Sequence, residues 1–144
     1  MSLINRRDVF IEWGDCDPAG IVYYPRYFVM FDNATTALFA AAGLPKHKMV
    51  KTYDIVGIPM VDTRSRFHIP SRWGETITIE TRIPQWKRSS FDVEHRVFKG
   101  SDLAIEAWET RVWVGRHPDD PERIKSQEIP KDVKARFDGT ADAN

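Results

Sequence analysis

The chain has 144 residues, 42% of them hydrophobic, with 21 basic and 21 acidic side chains and a formal net charge of zero. That length suits one domain with a core of its own, and the balanced charge argues against a nucleic-acid or membrane-surface role, leaving only a local basic patch to bind an anion. A single cysteine, Cys16, excludes an internal disulfide framework, no apolar run approaches the ~20 residues that span a bilayer, and the N-terminus lacks a signal peptide's apolar stretch, so a cytoplasmic location is expected.

Residues Arg7 to Trp13 read as a first strand, with Val9, Ile11 and Trp13 on one face and Asp8 and Glu12 on the other. The segment Gly14-Asp15-Cys16-Asp17-Pro18-Ala19-Gly20 then turns the chain. Tyr24 to Ala42 reads as one long helix. Pro25 suits its first position, and Tyr24, Tyr27, Phe28, Phe31, Thr35, Leu38, Phe39 and Ala42 form one apolar stripe. Gly43 and Pro45 stop it, and Pro45 to Tyr53 reads as a second, short helix.

Four strand-like segments follow: Ile55 to Ile69, Glu75 to Ile83, Ser89 to Lys99 and Leu103 to Val114. In the last, Leu103, Ile105 and Ala107 share one phase and Trp108, Val112 and Val114 the other, which implies a bulge between them. The links Pro70 to Gly74 and Lys99 to Asp102 are short, so the strands pair antiparallel. A turn is expected at His117 to Pro121 and a brief helix at Pro130 to Phe137. The reading is a single α+β domain over residues 1–137, one antiparallel sheet wrapped around one long helix, with a frayed polar tail at 138–144.

Several chemistries find no support. His47, His68, His95 and His117 are not at metal-ligand spacing, and no phosphate loop, dinucleotide fingerprint or serine nucleophile elbow occurs. His95 lies on an apolar strand face and reads as a core histidine.

What remains is carboxylate chemistry. Asp15 and Asp17 are two apart and point the same way in extended backbone. Asp15 reads as a residue that bonds turn amides. Asp17 precedes Pro18 and a helix start, whose free N–H groups suit a carbonyl oxygen gaining negative charge. Asp32 stands at the edge of the apolar stripe and either reaches water or a core donor, or meets a polar group on a bound acyl moiety. Lys87, Arg88, Ser89 and Ser90 join two strands, where two cations beside hydroxyls suit a phosphate or form a solvated turn.

Gly14-Asp15-Cys16-Asp17-Pro18-Ala19-Gly20-Ile21-Val22, then Tyr24-Pro25 and Tyr27, closely resembles the 4-hydroxybenzoyl-CoA thioesterase family of the hotdog superfamily. Ile55-Val56-Gly57-x-Pro59 and Trp86-x-Arg88-x-Ser90-Phe91 extend the resemblance, which covers residues 7 to 137 in order. It implies a five-stranded hotdog fold, an acyl-CoA substrate, and homodimers or homotetramers with sites between subunits. It implies no metal or prosthetic group, coenzyme A being part of the substrate. It places the catalytic carboxylate on Asp17 and the oxyanion-binding amide on Tyr24. It matches Asp32 to the acceptor for a phenol hydroxyl, and Lys87 and Arg88 to basic positions near the CoA phosphates, with Ser89 and Ser90 replacing part of a more basic run. Ile58 stands where the 4-hydroxybenzoyl-specific enzyme has a threonine, which makes the acyl pocket more apolar.

The expected activity is thioester hydrolysis of an aromatic acyl-CoA. The alternatives are a short-chain aliphatic thioesterase and a non-catalytic acyl-CoA-binding module. A dehydratase on this scaffold would need a histidine beside a carboxylate, and the strand-to-helix stretch has none.

Overall fold

The computed structural model describes residues 2–138. The chain opens with β1 (Asn5–Phe10), a 3-10 turn (Trp13–Asp15), the long helix α1 (Tyr24–Ala41) and the short α2 (Lys46–Thr52). Strands β2 (Met60–Phe67), β3 (Thr76–Trp86), β4 (Ser90–Lys99) and β5 (Asp102–Val112) follow. A ribbon of β6 (Val114–His117) and β7 (Asp120–Ser126) precedes α3 (Lys131–Ala135). The first five strands make one antiparallel sheet in the order β1-β3-β4-β5-β2.

The helix is held by one face. Tyr27, Met30, Phe31, Ala34, Leu38 and Phe39 recur at helical spacing and are all buried. Their partners are the inward residues of alternating strands: Ile77, Ile79 and Ile83 on β3, Phe91, Val93 and Val97 on β4, Ile105 and Ala107 on β5. One core cluster surrounds the first half of α1, with Ile11, Val22 and Phe31; the other surrounds its end, with Leu38, Phe39, Trp113 and Phe137. Gly43, at φ +81°, ends the helix. The sheet wrapped around one long helix is the architecture expected from the segment order.

Several boundaries differ. β1 stops at Phe10, and Trp13 leaves the inward phase because the chain turns there; it is 66% exposed. Pro25 is the second helical residue, Tyr24 the first. β2 is shorter than Ile55 to Ile69, because Val56 and Gly57 instead bond the backbone of Val114. The phase switch expected within the last long strand is absent: Ile105, Ala107, Glu109 and Arg111 all point inward. Trp108 lies on the other face, where the Arg64 guanidinium covers its ring at 4.4 Å. The irregularity in the β4–β5 ladder is further back, between Val97 and Phe98. The β6–β7 ribbon was not expected, since β7 is almost wholly exposed and lacks apolar alternation. Apart from Asp138, the tail expected at 138–144 lies outside the described residues. Among the described residues no helix is long and apolar enough to cross a membrane.

Candidate active site

The turn between β1 and α1 is closed by short local bonds. The Asp15 carboxylate accepts from the Glu12 N–H at 2.9 Å and from Arg26 Nε at 3.1 Å, so it ties the 3-10 turn to the first turn of α1. It is 7% exposed and occupied structurally, as its turn position implied. Cys16 bridges Val22, the Asp17 N–H donates to the Ile21 carbonyl, and the Gly20 N–H donates to the Asp17 carbonyl at 2.9 Å. Gly20 has φ +79°, a conformation that favours glycine. The Val22 N–H donates to the Ser71 carbonyl, fastening the turn to the link between β2 and β3.

Asp17 is half-buried in this closed loop. Its Oδ1 accepts the Ala19 N–H at 2.8 Å, which fixes the side chain while Oδ2 has no partner among the described residues. At the loop's far end Tyr23 donates to the Asp15 carbonyl and Arg26 to the Tyr23 carbonyl, while the Tyr24 N–H has no acceptor among the described residues. A carboxylate with one open oxygen and an open helix-start amide therefore share one short loop. A hollow of about 190 Å³ lies beside it, lined by Ile21, Val22, Tyr24, Tyr27, Phe67 and Ile69 among others. Burial, chiefly, pushes the Tyr27 phenol pKa up.

Asp32 sits two turns further along α1, in a different groove. This groove, of about 460 Å³, is lined by Phe28, Phe31, Asp32, Lys46, Ile58, Met60 and Arg111 among others. Asp32 and Ile58 thus share one wall region. The Asp32 side chain is 53% exposed and its Oδ1 takes Arg111 Nη2 at 2.9 Å. Of the two sequence readings, the core donor is present, and the exposed remainder still faces a cavity.

Behind Arg111 stands a buried polar chain. Arg111 donates through Nε and Nη2 to Glu109 Oε1, at 2.9 and 2.6 Å. Glu109 Oε2 bonds His95 Nε2 and accepts from Thr35 Oγ1 at 3.3 Å. His95 Nδ1 lies 2.8 Å from Thr81 Oγ1, and its ring stacks on Phe31 at 4.9 Å. Burial raises the Glu109 pKa, but the hydrogen bond and charge of His95, with Arg111 after them, outweigh it and hold the carboxyl below its ordinary range. His95 is a core histidine, as expected. It does stand beside a carboxylate, but His95 is wholly buried, and Glu109, though it borders the Asp32 groove, is 4% exposed with both oxygens bonded.

Lys87, Arg88, Ser89 and Ser90 form the β3–β4 turn, with both cations exposed and without ion pairs among the described residues. Their backbone is well fixed: Lys87 pairs with Ser90, Ser89 accepts from Trp113, and Arg88 accepts from Ile129. β3 starts beside the Asp17 loop and ends at this turn, and its 11 residues span roughly 35 Å at strand rise. One chain therefore places Asp17 and Tyr24 at one end of the sheet and the basic turn at the other. Among the described residues no group of three or more His, Cys, Asp or Glu is arranged to hold a metal ion.

Sequence reasoning missed Glu109 and Arg111. The signal was present: Ile105, Ala107, Glu109 and Arg111 are in one phase, and opposite charges two apart on a strand face fall side by side.

A family model described as the thioesterase-like superfamily matches residues 11–137. Over 128 residues the chain is 39% identical to 4-hydroxybenzoyl-CoA thioesterase of Pseudomonas sp. (strain CBS-3), which covers 85% of this chain and 89% of that one. The solved structure of the Pseudomonas enzyme superposes with a TM-score of 0.83 at 36% identity, over 92% of this chain and 98% of its own. The chain is also 29% identical over 133 residues to a 1,4-dihydroxy-2-naphthoyl-CoA hydrolase of Trichodesmium erythraeum (strain IMS101), covering 90% of this chain and 93% of that one.

Proposed function

The chain belongs to the thioesterase-like superfamily and is an acyl-CoA thioester hydrolase, and from that premise we propose that it cleaves an aromatic, 4-hydroxybenzoyl-like CoA ester to the free acid and CoA. The observation that carries the mechanism is the Asp17 loop, where an open carboxylate oxygen and the open Tyr24 N–H share a few residues of fixed backbone. In this reading the thioester carbonyl oxygen rests on the Tyr24 N–H at the amino end of α1. Charge developing on that oxygen is met there by the amide and the helix dipole. Asp17 either attacks the carbonyl carbon, expelling CoA thiolate and leaving an anhydride that water opens, or takes a proton from the attacking water. Both routes consume one water and yield acid and thiol. Neither needs a metal or a prosthetic group; coenzyme A arrives with the substrate.

The aromatic acyl group is supported by a groove with Phe28, Phe31, Ile58 and Met60 on its walls, where Asp32, unlike the fully bonded Glu109, has an oxygen available to a ring hydroxyl. This groove is separate from the Tyr24 hollow within one chain, so a second copy brings it against the Asp17 loop. The 39% identity to a 4-hydroxybenzoyl-CoA thioesterase points the same way. A bicyclic dihydroxynaphthoyl ester is the second reading, favoured by the 29% identity to a hydrolase of that ester and by the apolar Ile58. Short aliphatic esters are a further arm of the substrate panel.

The proposal includes a homodimer, or a tetramer of two such dimers. The basic turn and Asp17 are at opposite ends of one sheet, so Lys87, Arg88, Ser89 and Ser90 serve a CoA bound at Asp17 most directly from a second copy. β2 is an edge strand with Met60, Val61 and Phe67 exposed at 42, 62 and 50%, a surface suited to that copy.

The test is Asp17→Asn with 4-hydroxybenzoyl-, benzoyl-, 1,4-dihydroxy-2-naphthoyl- and short aliphatic CoA esters. Turnover by the variant is expected to fall at least a thousand-fold, with ester binding by calorimetry nearly kept. Hydrolysis at the wild-type rate removes Asp17 from the mechanism. A single turnover in heavy-oxygen water separates the two routes, because only nucleophilic attack carries label into Asp17.

A further inference from the structure

Arg111 is 6% exposed, and four of its five N–H groups have acceptors: two reach Glu109 Oε1, one Asp32 Oδ1 and one the Ile58 carbonyl, at 3.1 Å. The acceptors come from β5, α1 and the segment leading into β2, so one guanidinium joins both walls of the acyl groove. It is itself fixed from behind, since Glu109 is bonded to His95, and His95 is bonded to Thr81 and stacked on Phe31. The chain Thr81–His95–Glu109–Arg111–Asp32 runs from the middle of the sheet to the groove surface.

A half-exposed aspartate on a helix face ordinarily samples several rotamers, and a ligand must freeze one of them. Here Oδ1 is held by a buried cation, and Oδ2 has no partner among the described residues. Ile58 contributes no side-chain hydrogen-bonding group, and its carbonyl is taken by Arg111. A ring hydroxyl entering this groove thus meets one oriented carboxylate oxygen as its acceptor, and a hydroxyl-to-carboxylate bond is of the strong, charge-assisted kind.

We propose that Arg111 is a positioning residue for substrate selection: anchored through Glu109 and His95, it orients Asp32 so that the open oxygen accepts the hydroxyl of a hydroxyaroyl-CoA ester. This rests on the aroyl-CoA reading above and deepens it. Lysine cannot replace Arg111, because an ammonium lacks the planar fork that reaches Glu109, Ile58 and Asp32 together.

The experiment measures kcat/KM for 4-hydroxybenzoyl-CoA and benzoyl-CoA in wild type, Asp32→Asn, Arg111→Lys, Glu109→Gln and the double variant Asp32→Asn/Arg111→Lys. Arg111→Lys is expected to lower the hydroxy-to-unsubstituted ratio roughly ten-fold, mainly through KM for the hydroxylated ester. Glu109→Gln, which keeps side-chain shape and stands in should Arg111→Lys misfold, is expected to lower it in the same direction. The double variant should match Asp32→Asn alone, since Arg111 acts through Asp32. A lower melting temperature with an unchanged ratio in both Arg111→Lys and Glu109→Gln overturns the positioning role while leaving the aroyl reading intact. An unchanged ratio in Asp32→Asn overturns both the positioning role and Asp32 as the hydroxyl acceptor. Failure of wild type to hydrolyse either of these esters or 1,4-dihydroxy-2-naphthoyl-CoA overturns the aroyl reading itself, and the inference with it.

Discussion

Glu109 is an acid pulled in opposite directions. Its burial favours the neutral form, and the neighbouring His95 and Arg111 favour the anion more strongly, so its pKa lies below the ordinary 4.5. A carboxyl whose folded pKa is depressed stabilises the fold fully above its unfolded pKa, and that contribution is lost as pH falls through the lower, folded value. The fold should therefore begin to lose this contribution below pH 4.5. Glu109→Gln, which leaves Arg111 buried without its main counter-charge, is expected to cost about 3 kcal/mol at neutral pH. Urea unfolding at a series of pH values checks this: the gap between wild type and variant should narrow on acidification, and a gap independent of pH means Glu109 is not the group responsible.

Among the elements, the two glycines that bracket α1 make contrasting cases. Gly43 ends the helix at φ +81°, and a Cβ there would lie 2.7 Å from Arg136 Nη1. Gly43→Ala therefore combines backbone strain with displacement of a side chain that bonds the Ala42 carbonyl. A loss of roughly 1–2 kcal/mol is expected, read as a fall in melting temperature with little change in kcat. Gly20, at φ +79°, has open space, with only Arg72 Nη1 at 3.9 Å from the added carbon. Gly20→Ala meets strain alone, about 1 kcal/mol, but relief of that strain shifts the backbone carrying Asp17, so kcat should fall more than stability. If the two variants behave alike, the Asp17 loop does not need its observed conformation. These elements also mark what sequence could tell. Tyr27, Phe31, Leu38 and Phe39 announce α1 because apolar residues at helical spacing have one explanation, and Ile77, Ile79 and Ile83 announce β3 for the same reason at strand spacing. Asp17 stood out because Gly, Pro and Asp gather in a turn before a helix start, but its catalytic role leaned on the family resemblance, and the role of Tyr24 rested on that resemblance alone. Glu109 and Arg111 did not stand out, because a hydropathy pattern counts two charges as outward although they neutralise each other inward. The β6–β7 ribbon was hidden because its pairing is backbone to backbone and the side chains of β7 are almost all exposed.

At the scale of the whole molecule the distribution of groups is the constraint. Asp17 and Tyr24 sit where β3 begins, and Lys87 and Arg88 where it ends, roughly 35 Å away along the strand. If two copies pair about a two-fold axis, each site combines the Asp17 loop of one with the basic turn of the other. This arrangement has a consequence that a single-chain site lacks. Co-express Asp17→Asn with the double variant Lys87→Ala/Arg88→Ala. Each alone is impaired, the first in kcat and the second in KM. In a mixed dimer one site inherits both lesions and the other inherits neither. Random pairing makes half of the dimers mixed, so about one quarter of all sites regain wild-type kinetics. With the basic turn serving its own chain, every site in the mixture keeps one lesion, and the kinetics stay those of the double variant diluted by inactive Asp17→Asn. A titration of active sites at low substrate concentration, where KM governs the rate, separates a recovered quarter from none.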